Sequence, residues 1–156
     1  MLTLLSLLRL TPQVLPTSLD PTKLRELNLR SVNIVNFEGT KLKQFNCVGV
    51  SSNQHTFYTT RIWFSGLTLP ISRAKPSIAN SKVLVRCSCP AYFFYCVAAN
   101  AKMKVQIQGN QFRRYVRKTP PPPTGYPQRN PSLLPCLCKH LVFTTQYLTR
   151  AGLIKS

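Results

Sequence analysis

Cys87-Ser-Cys89 and Cys138-Lys-His140 each set two metal-binding side chains one residue apart, and 48 residues separate the pairs. A CxC pair is poorly placed to close on itself as a disulfide, but it suits two thiolates approaching one ion. No export segment is read in the sequence, so the six cysteines are not taken as an oxidised framework. Structural zinc is the simplest account, with Cys87, Cys89, Cys138 and His140 as ligands at about 2.3 Å for sulfur and about 2.0 Å for nitrogen. Both pairs fall where helices are expected to begin, and a helix N-terminus favours thiolate over thiol. A Cys3His set is closed, so the ion would hold structure and activate no water. Two alternatives stay open: Cys136 could stand in for Cys138, or the cysteines could be buried thiols without a metal. Cys47 and Cys96 are read as small core residues.

Around these pairs the periodicity reads as α+β. Asp20-Pro21 opens a helix through TKLRELNLRS, with Asp20 as N-cap, Leu24 and Leu27 on one face, and Glu26 one turn before Arg30. LKQFNCVGV and TFYTTRIWF alternate with period two around a turn at Ser51 to Gln54, forming a hairpin. In the second run Phe57 and Trp63 share one face, and Tyr58, Ile62 and Phe64 the other. KVLVRC from Lys82 is a third strand, with Val83, Val85 and Cys87 facing together. AYFFYCVAAN then forms an aromatic helix with Pro90 in its first turn, needing cover on more than one side. Residues 102–135 read as loop, including the stiff run Pro120 to Pro123. A last helix runs from near Cys138 to Gly152. The expected fold is a small antiparallel sheet packed with two helices around a structural zinc site, with a long proline-rich loop and an extended N-terminal arm. Residues 1–40 are assigned to the arm and short helix, and 41–156 to the zinc-binding domain.

MLTLLSLLRL is too short to span a bilayer of about 30 Å, so no membrane is expected. Leu2, Leu4, Leu5, Leu7 and Leu8 are expected to pack outside the chain's own core, on a neighbouring subunit, with Pro12 and Pro16 interrupting the link to the Asp20 helix.

The charge narrows function further. Twenty-one Lys and Arg face three acids, a net charge of +18, and Asp20, Glu26 and Glu38 are all the carboxylate side chains. Paired-carboxylate glycosidases, two-metal nucleases and EF-hands each need more. Such a field attracts nucleic acid, or suits a subunit packed against acidic neighbours. QFRRYVRK places Arg113, Arg114, Arg117 and Lys118 around Phe112 and Tyr115, the interleaving of a single-strand platform, although a solvated basic loop has the same composition. His55 has no carboxylate or nucleophile beside it. Cys-His catalysis needs a free cysteine and a free histidine base, and zinc accounts better for His140, so no enzyme is expected.

CSCP at 87–90 with CKHL at 138–141 resembles the SWIM-type zinc-binding module, whose CxCx(n)CxH pattern sits on a ββα scaffold. The longer block CSCPAYFFYC followed by GYPQRNPSLLPCLCKHL is similar to zinc-containing virion proteins of tailed bacteriophages, over roughly residues 42–152. That resemblance implies a structural subunit of the head, neck, tail or baseplate. It would assemble in the host cytoplasm as repeated copies against other virion proteins, and packaged DNA is a further possible partner.

Overall fold

The computed structural model describes residues 2–50, 56–109 and 129–156. The α+β expectation holds: four antiparallel strands run in the order β1-β2-β3-β4 as β1 (Asn28–Phe37), β2 (Leu42–Val50), β3 (Phe57–Ser65) and β4 (Lys82–Cys87). Alternation decides what each strand buries. Lys43, Phe45 and Cys47 of β2, Thr60, Ile62 and Phe64 of β3, and Val83, Val85 and Cys87 of β4 are all buried. Apart from Lys43 and Thr60, these side chains join one apolar cluster with the helices α1 (Leu4–Leu10), α2 (Pro21–Arg25), α3 (Pro90–Tyr95), α4 (Val97–Lys102) and α5 (Lys139–Arg150).

The N-terminal residues are not an extended arm. Thr3 caps α1 through its side chain, the Leu5 N–H donates to the Ile78 carbonyl at 2.8 Å, and Leu4 and Leu7 are fully buried in the chain's own core. Their spacing of three residues puts them on one helical face, and Leu2 and Leu8 pack against the same cluster. Pro12 and Pro16 do interrupt the path, but each opens a short 3-10 turn, where a missing N–H costs nothing. The expectation that the leucines pack outside the chain's own core is therefore overturned for Leu2, Leu4, Leu7 and Leu8.

Asp20 caps α2 as expected, its carboxylate accepting from the Thr22 N–H at 3.0 Å. That helix stops at Arg25, and Arg30 lies on β1, so the Glu26 to Arg30 helical pairing does not form. Val32, Ile34 and Val35 favour a strand there, and a register shift between Leu29 and Ser31 breaks the alternation that would have marked it. The 40/41 boundary falls in the turn between β1 and β2. The aromatic helix is two short helices broken at Cys96 (φ −112°, ψ −35°). Tyr92 is fully buried while Phe93 is 38% exposed, so the cover is one-sided at these two positions. Residues 105–107 lie beside β4, with the Val85 N–H donating to Val105 O and the Ile107 N–H to Val85 O. The Pro120 to Pro123 run, the Ser51 to Gln54 turn and His55 lie outside the described residues.

Candidate metal centre

Strand parity builds the first half of the site. Cys87 ends β4 facing the core, and Ser88 turns outward, its Oγ accepting from the Thr59 N–H at 2.9 Å while its N–H donates to Thr59 O at 3.1 Å. This extension of the pairing with β3 returns Cys89 to the same side as Cys87. Cys89 is then the N-cap of α3, and its Sγ accepts from the Tyr92 N–H at 3.3 Å.

The second half is held by long-range polar contacts. Thr11 Oγ1 donates to Leu7 O at 2.7 Å and accepts from the Leu137 N–H at 2.9 Å, tying the end of α1 to the residue before Cys138. Asn100 grips Cys136 at both ends of its backbone, its Nδ2 donating to Cys136 O and its Oδ1 accepting from the Cys136 N–H, each at 2.9 Å. Asn130 Nδ2 reaches Tyr95 O and Leu134 O, both at 2.8 Å. Cys138 then sits at the N-cap position of α5, and His140 occupies the first turn of that helix with its ring 4.7 Å from that of Tyr58.

The structure brings Cys87, Cys89, Cys138 and His140 together: all four are buried, and one ligand atom from each lies within 4.8 Å of all the others. The fit to an ion rests on His140. Its Nδ1 and Nε2 are both buried and neither has a hydrogen-bond partner. An orphaned buried polar atom costs about 1–3 kcal/mol, a cost that coordination removes at the one ring nitrogen that binds. Burial pushes the Cys87 and Cys138 thiols up, while hydrogen bonds from Cys138 and Cys87 bring Cys89 down. The cluster thus shares protons that a cation would displace, and it is geometrically capable of chelating a metal ion.

Cys136 is not among these ligands. Its Sγ lies 2.8 Å from that of Cys96, so the substitution of Cys136 for Cys138 is not the arrangement seen. Cys47 is buried elsewhere on β2, its thiol pushed up to about 12 by burial. Arg113, Arg114, Tyr115, Arg117 and Lys118 lie outside the described residues. Thr11, Asn100 and Tyr58 carried no sequence signal, because their partners are distant in the chain. No helix among the described residues is long and apolar enough to cross a membrane. No family model, curated protein or solved structure matches the chain.

Proposed function

We propose that this chain is a zinc-stabilised structural subunit of a tailed-phage virion, working through protein-protein assembly and not through catalysis. The observation that carries the structural-metal part is the buried convergence of three sulfurs and one imidazole from two distant segments. Three thiolates and a histidine favour zinc, and tetrahedral bonds of about 2.3 Å to sulfur require ligand atoms about 3.8 Å apart, a spacing compatible with the observed limit. With four protein ligands there is no open position for substrate, so the ion's work is to join β4 to α5. The virion setting is supported by the resemblance of the longer block, CSCPAYFFYC with GYPQRNPSLLPCLCKHL, and by a surplus of positive charge that acidic neighbours would neutralise. Proteomics of purified particles of the encoding virus tests it. Recovery of the chain in fixed proportion to the major structural proteins is expected, and its absence from particles would contradict the assignment.

A second reading, nucleic-acid binding, is favoured by the absence of any Asp or Glu after Glu38. A DNA titration separates the two. Contact with many phosphates gives an affinity that falls steeply with salt, whereas no binding at low salt removes this reading.

A further inference from the structure

Cys96 and Cys136 are both fully buried, and their sulfurs lie 2.8 Å apart although 40 positions separate them in the sequence. Neither belongs to the metal cluster. Cys96 marks the break between α3 and α4, and Cys136 is fixed by both of its backbone bonds to Asn100. Asn100 is itself positioned by α4, its N–H donating to Cys96 O at 2.8 Å. The two sulfurs are therefore brought together by backbone anchors on both sides, not by flexible side chains meeting at a surface.

We propose that Cys96 and Cys136 form a disulfide, a second closure of the same excursion that the metal ligands close from Cys89 to Cys138. The oxidant is a low-molecular-weight disulfide of the glutathione class. One cysteine attacks it as thiolate, forming a mixed disulfide and releasing one small thiol. The second cysteine attacks the protein-bound sulfur of that mixed disulfide, the intramolecular bond forms, and the second small thiol leaves. Two electrons pass from the protein to the oxidant, and the two protein protons end on the released thiols. Because both sulfurs are buried, exchange in the folded chain needs a local opening, and the link acts as a slow lock. Its occurrence depends on geometry separate from the ion, since metal-bound thiolates at Cys87, Cys89 and Cys138 are withheld from exchange.

The test is refolding of the full reduced chain with zinc in a buffer of reduced and oxidised glutathione, where access is not limited by the fold. Metal analysis is made on the refolded native chain, and trapping with iodoacetamide under denaturing conditions and peptide mapping follow. The expected result is about one zinc per refolded chain and, after denaturation, a Cys96–Cys136 linked peptide with Cys47, Cys87, Cys89 and Cys138 alkylated. Cys47→Ser should keep the link and Cys96→Ser should abolish it without loss of metal. Recovery of both Cys96 and Cys136 as alkylated thiols would overturn the proposal, as would links scrambled among the cluster cysteines. A correct link in a chain that binds no zinc would leave this proposal standing while refuting the zinc reading.

Discussion

His140 marks the cluster most directly as a candidate ligand set, because both of its ring nitrogens are buried without partners and an ion would take one of them. The same residues set testable consequences around it. Cys138→Ser removes a thiolate from the cluster and should abolish stoichiometric zinc in elemental analysis, whereas Cys47→Ser should leave zinc at one per chain. Thr11 acts at a distance: Thr11→Val would leave the Leu137 N–H unpaired in the core. Urea unfolding should record a loss of about 1–3 kcal/mol, and competition with a chelator a zinc affinity about 10-fold weaker, the scale of outer-shell contacts. Cys47 carries a pH signature. Its folded pKa of about 12 lies above the ordinary 9.0, so its contribution is complete below about pH 9 and is lost as pH rises through 12. Cys47→Ala should therefore flatten the alkaline fall in stability, measured by thermal melts across that window.

At the scale of elements, α1 is the clearest departure from what the sequence alone conveys. Seven leucines and methionines in ten residues mark an apolar segment, but nothing in them says whether the greasy face meets this chain or another. The answer lies in long-range partners, namely the Ile78 carbonyl and the core cluster. Leu7→Ala should cost about 2–5 kcal/mol in urea unfolding, and Leu8→Ala, at the edge of the cluster, clearly less. A peripheral arm would give small and equal effects. β2, β3 and β4 were legible because strict alternation puts Phe45 and Cys47, Ile62 and Phe64, and Val83 and Val85 on one buried face. β1 was not, because its bulge breaks the alternation and Leu24 and Leu27 resemble a continuing helical face. The two ligand pairs were legible because each sets its donors within three residues at an element boundary: strand parity puts Cys87 and Cys89 on one side, and Cys138 is the extended N-cap of the helix whose first turn carries His140. Lys43 was illegible, since its Nζ is satisfied by the carbonyls of Ile71, Ser72 and Ala74, a turn about thirty residues away.

For the whole molecule, the Cys3His cluster closes the excursion between Cys89 and Cys138 and connects the sheet to α5, the longest helix among the described residues. Ion binding is then part of folding free energy, so chelation should lower the melting temperature of the entire chain and not of one loop. The proton linkage has a definite sign. Burial holds Cys87 and Cys138 as thiols in the absence of an ion, so binding zinc releases protons, and affinity should rise with pH and fall on acidification. The most direct measurement is X-ray absorption at the zinc edge of the zinc-loaded chain. Three sulfur scatterers at about 2.3 Å and one nitrogen at about 2.0 Å are expected. A shell dominated by oxygen, or four sulfurs with no imidazole, would contradict it.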